Sequence, residues 1–367
     1  MRKESASSIF INLGAGSKAA SHKIQVPGGN IPAPPDLTND DLTGRRGGFG
    51  LRVVTYDEIE PQDAMLIDEV CFSVPTTPDR VKMIRRLDKR CSDYYGVYAM
   101  DDDGNVVSQV VVLHIDTQTS EGREKVAGIE GVATLPGHLR RGMSTALMKR
   151  VHELLREQNI RISFLLTSSS LVAHGMYVKI GYTTLATFDR GYKRIRKKPK
   201  KQRRVQLRKF DARVASKLDE LFSSQTRDRL GFIHRQDGFM AMLVKTNQAT
   251  PEKLKIAYSG GKVVGYTRVQ GEADVVTTNE LVGADDATRS SILDQVECQP
   301  HALWAHCYSL CDTRLSQLYR SKGYRLHEPG FGRVMVASVD GSLTAAEIAK
   351  LYGKDENRFV IYSLDSF

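Results

Sequence analysis

No stretch of the 367-residue chain approaches the roughly 20 consecutive apolar residues that a helix needs to cross a bilayer, which argues against a helical membrane protein. The first 25 residues also lack the continuous apolar core of a secretory signal, so a cytoplasmic protein is expected. An organelle leader stays open as an alternative, because that start is rich in Ser, Ala and basic residues and holds one acid, Glu4. Cysteine is scarce. Cys71, Cys91, Cys298, Cys307 and Cys311 make an odd set with no Cys-x-x-Cys pair, which speaks against a disulfide framework and fits a reducing compartment. Cys298, His301, His306, Cys307 and Cys311 do cluster, but in a strand His306 and Cys307 would point to opposite faces, so no metal site is expected. Acids are outnumbered, 43 against 53 Lys and Arg, for a net charge of +10. The excess is local: Lys193 to Lys209 hold eleven basic residues and no acid, and the remaining chain is nearly neutral. The run contains Pro199 and falls between two similar segments, so a solvated linker is the preferred reading over nucleic-acid contact or an import signal.

What is present is enough apolar content, 41%, to bury a sizeable core over a length that suits two domains. Residues 1–50 carry Gly and Pro clusters and no sustained period, so they read as a mobile arm. From Leu51 the pattern predicts a strand to Val54, helices over Pro61–Phe72 and Asp79–Cys91, and a hairpin of Tyr94–Met100 with Val106–Ile115. A strand over Val126–Leu135 follows, then a loop, a helix from Met143 to Gln158, a strand over Ile162–Leu166, a helix over Leu171–Ile180 and a strand over Tyr182–Phe188. Parts of this order recur from Lys255, and Tyr177-x-x-x-Gly181-Tyr182 is echoed by Tyr319-x-x-x-Gly323-Tyr324 at the same helix-to-strand junction. The organisation expected is an arm (1–50), a catalytic domain (51–195), a basic linker (196–209), a second, degenerate domain (210–338) and a tail (339–367).

The segment with chemistry in it runs from Gly131 to Leu147 as strand, basic glycine loop and amphipathic helix. Such a junction suits a pyrophosphate: N–H groups at a helix start point outward unpaired, the helix dipole favours negative charge there, and Gly142 admits close approach. Arg140 and Arg141 add charged donors. An ordinary strand-to-helix turn with exposed arginines is the bland alternative.

On these residues the chain resembles the GCN5-related N-acetyltransferase (GNAT) superfamily, whose cofactor loop reads Gln/Arg-x-x-Gly-x-Gly/Ala. Leu139-Arg140-Arg141-Gly142-Met143-Ser144 shares the central glycine and the basic character and departs at Leu139 and Ser144. The Tyr177–Tyr182 motif stands one strand later, where the family carries its own. The tandem arrangement is similar to the enhanced intracellular survival acetyltransferases. The resemblance implies an α/β fold of two tandem GNAT-like domains, each a twisted, mostly antiparallel mixed sheet flanked by helices, with acetyl-CoA as co-substrate and no metal. It implies that Val132, Ala133 and Thr134 pair with the pantetheine arm and that Leu139, Arg140, Arg141, Gly142, Met143, Ser144 and Thr145 hold the pyrophosphate. Tyr177 is implied as the proton donor to sulfur. Glu130, near the carboxylate position of some members, and the terminal carboxylate at Phe367 are the candidate bases, although only 29 residues follow Ser338, too few for the domain that places the terminus in those enzymes. The function expected is acetyl transfer to a primary amine in a ternary complex, with a small-molecule acceptor preferred. A protein or peptide acetyltransferase, and a non-catalytic acyl-CoA or nucleic-acid module, are the alternatives.

Overall fold

The computed structural model describes residues 52–74, 76–197, 204–309, 311–326 and 332–365, so the expected arm and residues 198–203 of the basic run lie outside the described residues. The first unit opens with β1 (Arg52–Thr55), α1 (Pro61–Phe72) and α2 (Pro78–Leu87). The antiparallel strands β2 (Cys91–Met100), β3 (Val106–Thr119) and β4 (Gly122–Thr134) follow, then α3 (Met143–Glu157), β5 (Ile162–Ser168), α4 (Val172–Lys179) and the long β6 (Thr183–Arg194). β3 is rich in valine because it is covered on both faces: Val106, Val107, Val110, Val111 and Val112 are all buried. Helix α3 buries Leu147, Val151 and Leu155 at the helical period against Val97, Val110 and Ile129.

The end of the second helix differs from expectation. The helix predicted to reach Cys91 stops at Leu87, because Asp88 leaves the helix in extended conformation and its buried carboxylate accepts from the Arg90 N–H and side chain. That local pairing outbids another helical turn and starts β2 at Cys91.

The second unit runs β7 (Gln206–Lys209), α5 (Ala215–Gln225), β8 (Leu230–Gly231), α6 (Phe239–Lys245), β9 (Leu254–Ser259), β10 (Lys262–Glu272) and β11 (Val275–Gly283). It continues with α7 (Asp286–Glu297), β12 (Trp304–Ser309), α8 (Thr313–Ser321) and β13 (Arg325–Leu326). β14 (Gly332–Ser338), α9 (Ala345–Leu351) and β15 (Phe359–Val360) close the described chain. The strand order is β1-β2-β3-β4-β5-β14-β6-β12-β11-β10-β9-β7, with β13 beside β6.

The units exchange strands at the centre of this order. β14, which follows the second unit in the chain, lies antiparallel between β5 and the first half of β6. The second half of β6, Asp189 to Arg194, lies between β12 and β13. β6 therefore continues well past Phe188, since each half has partners in a different unit. A side chain at Gly191 would put Cβ 2.5 Å from Cys307 Sγ, which keeps the crossing strand tight against β12.

The C-terminal segment fastens the two units. Phe359 and Ile361 join a core with Phe164, Phe232 and Tyr352 on the first sheet, while Val360, Tyr362 and Leu364 join the core of the second unit with Phe222 and Leu281. Alternation along an extended segment gives each core one face of it. At its end Asp365 accepts from Arg235 Nε and Nη2, both at 2.7 Å. Arg235 also donates to Tyr266 and Glu280 and lies 3.4 Å above the centre of the Phe222 ring.

Candidate active site

The cleft of the first unit is made where β4 leaves β5. The two strands pair in parallel only from Ala127↔Ser163 to Ile129↔Leu165, although β4 runs on to Thr134 and β5 to Ser168. The cause lies on the other edge of β4, where the register with β3 slips between Gln109 and Val111. Glu130 faces Val111 and Ala133 faces Gln109, so Gly131 and Val132 form a bulge, with Gly131 at φ 58°. A bulge of this kind bends its strand and increases the local twist, which carries the end of β4 away from β5.

Beyond β4 the chain makes a short turn at Pro136–His138 and enters α3 through Arg140 and Gly142, both left-handed, at φ 64° and 78°. Glycine adopts that conformation without strain, whereas Arg140 carries a steric cost fixed by the turn. No side chain caps α3 at its N-cap residue Gly142. Its first N–H groups are therefore presented to whatever fills the gap. Ala133 and Met143 are buried anchors on either side of the turn. Thr134 Oγ1 lies 2.8 Å from both Ser108 Oγ and Ser144 Oγ, and the Ser108 hydroxyl donates to Ala133 O at 2.7 Å. Ser144, a departure from the family glycine or alanine, thus ties the helix start to the end of β4. Leu139, Arg140 and Arg141 are exposed, Arg141 Nη2 donating to Gly137 O at 3.2 Å, and Val132, Gly142 and Thr145 are partly buried.

The titratable groups gather on the other side of β4. Glu130, partly buried in the bulge, has its carboxyl pushed up to about 7 by burial; Arg90 opposes the rise, and Asp88 and Asp68 add to it. Asp68 on α1 accepts from Gln109 Nε2 at 2.7 Å, and burial raises its pKa as well. Tyr95, left-handed at φ 57° in the irregular start of β2, lies within electrostatic reach of Glu130 and Asp68. Tyr177 is buried on α4, its ring edge-on to Tyr182 at 6.0 Å, and burial holds its hydroxyl up at about 12, protonated at neutral pH. Phe367 lies outside the described residues. Asp365, two residues before it, is held by Arg235 and lies within electrostatic reach of Arg90, which also faces Glu130.

The structure thus brings β4, the glycine turn and the start of α3 together, as their adjacency in sequence required, with Glu130 on the same strand. Asp68, Asp88, Arg90 and Tyr95 went unnoticed from sequence. They come from α1, the turn after α2 and the start of β2, and both Asp88 and Arg90 stood in the segment expected to be helical to Cys91. The equivalent helix start in the second unit, that of α7, is closed: Asp285 accepts from the Thr288 N–H at 2.6 Å and caps the helix with its own carboxylate.

A bulged central strand thus diverges from its parallel neighbour beside an uncapped helix start that follows two arginines. Residues 52–185 match the family model for the acetyltransferase (GNAT) domain. The fold is shared, over about four fifths of the chain, with solved proteins of low sequence identity. A probable N-acyltransferase from Enterococcus faecalis is 16% identical, with a TM-score of 0.61 over 79% of this chain and 73% of that one. A GCN5-related N-acetyltransferase from Kribbella flavida is 18% identical, with a TM-score of 0.58 over 78% and 71%. Eis1 from Mycobacterium abscessus is 14% identical, with a TM-score of 0.55 over 80% and 74%. No curated protein sequence matches the chain significantly. Among the described residues no helix is long and apolar enough to cross a membrane, and no group of three or more His, Cys, Asp or Glu side chains is placed to hold a metal ion.

Proposed function

We propose that the first unit moves an acetyl group from acetyl-CoA to a primary amine by direct attack in a ternary complex, with a small molecule as acceptor. The observation that carries this reading is the divergence of β4 from β5 after Ile129↔Leu165, next to a helix start that no side chain caps. An extended pantetheine arm fits beside Val132, Ala133 and Thr134 as an added strand fits a sheet edge. The pyrophosphate fits the N–H groups from Gly142 to Thr145, with the Arg140 and Arg141 guanidiniums beside it.

Two proton transfers then fall to residues of this chain. A primary amine with an ordinary pKa of roughly 10 must lose a proton to attack, and Glu130, ionising near pH 7, is matched to accept it, directly or through a water. The departing thiolate must gain a proton, and Tyr177 holds one at neutral pH. Attack of the amine nitrogen on the thioester carbonyl breaks the C–S bond, the base takes the amine proton, and the Tyr177 hydroxyl protonates sulfur. The Val132 N–H, turned by the bulge, is suited to hold the thioester oxygen as charge develops on it. Thiol release from acetyl-CoA with a panel of small amines and peptides tests the proposal. Release that depends on a small amine supports it, release with peptides alone overturns the acceptor class, and no amine-dependent release overturns the activity.

A further inference from the structure

Where β6 crosses into the second unit, one face of the sheet carries side chains that the core does not use. Ala305 and Cys307 of β12 point into the core of that unit with Tyr319 of α8. Alternation along the strand sends Trp304, His306 and Tyr308 the other way. The register with β6 sets Trp304 opposite Arg194, His306 opposite Tyr192 and Tyr308 opposite Arg190. β13 adds Arg325 beside Tyr192, and β11 adds Val275 and Thr277 beside Trp304 and His306. Directly opposed residues share a face, so these positions form one continuous surface.

That surface combines rings with positive charge. Trp304, the single tryptophan of the chain, is 37% exposed, and Leu303 before it is 52% exposed. Arg194 and Arg325 are exposed, while Tyr192, His306, Tyr308 and Arg190 are half-buried. The Tyr192 and Trp304 rings lie 6.5 Å apart, and the Arg190 guanidinium lies 5.2 Å from the centre of the Tyr308 ring. No acidic residue stands at any of these positions, whereas on the core side Lys193 is met by Glu297 at 2.6 Å. β6 leaves the face through Arg196 and Lys197, both exposed. Charge of this kind attracts any polyanion. The rings discriminate among polyanions, because the bases of a single strand are open to stack on aromatic side chains and those of a duplex are stacked on one another.

We propose that this face binds single-stranded nucleic acid with little sequence preference, its bases stacking on Trp304, Tyr192 and His306 and its phosphates meeting Arg194 and Arg325. Sheets that bind RNA through aromatic residues hold about two or three bases in this way, which suits the size of the face. A charged bilayer takes its apolar rings from an amphipathic helix, which this sheet is not. The site stands apart from the cleft of the first unit and does not rest on acetyl transfer there.

Fluorescence titration of the full chain tests the assignment, since its single tryptophan reports stacking directly. An oligo(dT) of about 12 nucleotides is expected to bind saturably and to quench Trp304. A duplex of the same length, polyphosphate and phosphatidylserine vesicles are each expected to bind more weakly and to leave the fluorescence unquenched. Trp304→Ala, followed by the anisotropy of a labelled oligo(dT), is expected to weaken binding about 5 to 150-fold, the loss of one stacked base, and Trp304→Phe to restore most of it. Arg194→Ala and Arg325→Ala are each expected to lower the slope of log affinity against log salt by about 0.7. Both arginines are exposed, so these variants carry the test if Trp304→Ala misfolds. The proposal is overturned by an absence of saturable binding, by affinity unchanged in Trp304→Ala, by salt slopes unchanged in both arginine variants, or by quenching as strong with polyphosphate or vesicles. A duplex binding as tightly as the single strand also overturns it, as does binding lost when Arg140 and Arg141 are replaced by Glu, which would place the oligonucleotide in the cleft of the first unit.

Discussion

Glu130→Gln removes the proposed base while keeping the shape of the bulge, and the two states of the wild-type carboxyl predict opposite effects on activity and stability. Burial lifts its pKa from an ordinary 4.5 to about 7, so ionising it in the fold costs at most about 3 kcal/mol relative to the unfolded chain. Solvent at the edge of this partly buried group reduces that figure. Below pH 4.5 the carboxyl is protonated in both states and contributes nothing. Between 4.5 and about 7 the folded protein holds a proton that the unfolded chain has released, so wild-type stability falls as pH rises. Above 7 the penalty is constant. Gln carries no such penalty, so the variant should gain up to about 3 kcal/mol on wild type between pH 4.5 and pH 8, read by urea denaturation at the two values. Thiol-release rates should show the reverse: wild type rises with pH through about 7 as the base ionises, while the variant turns over about 100 to 10,000 times more slowly and without that limb. A variant that keeps the limb near pH 7, or that loses stability relative to wild type at pH 8, would refute this placement of the base.

Tyr177→Phe should lower turnover by about 10 to 1,000-fold with little change in acetyl-CoA affinity, since a proton donor to sulfur acts in the transition state; wild-type turnover would return the residue to a packing role. Charge reversal of Arg140 and Arg141 should weaken acetyl-CoA and make the remaining affinity less sensitive to salt, and unchanged calorimetric affinity would remove the loop from the site. Asp365→Ala leaves Arg235 buried with Glu280 alone and should destabilise the protein by about 3 kcal/mol, seen as a lower urea midpoint; an unmoved midpoint would mean that the clasp between units contributes nothing.

The sequence by itself was sufficient for whatever depends on neighbours along the chain. The helix over Met143–Glu157 announced itself by its apolar period, the turn at Arg140–Gly142 by its glycine and charge, and the hairpins by β-branched runs either side of turn residues. The duplication was legible too, because Tyr177–Tyr182 and Tyr319–Tyr324 build the same junction twice: Tyr182 bonds Ser163 and His152, and Tyr324 bonds Glu297. Tertiary structure alone decided the rest. Nothing local tells β14 to insert between β5 and β6, since its valines and methionine would suit any buried strand; the choice is made by which sheet has an edge left unpaired. Nor does sequence set the pKa of Glu130, whose value comes from desolvation and from Arg90, Asp88 and Asp68, 40 to 62 positions away and brought near only by packing.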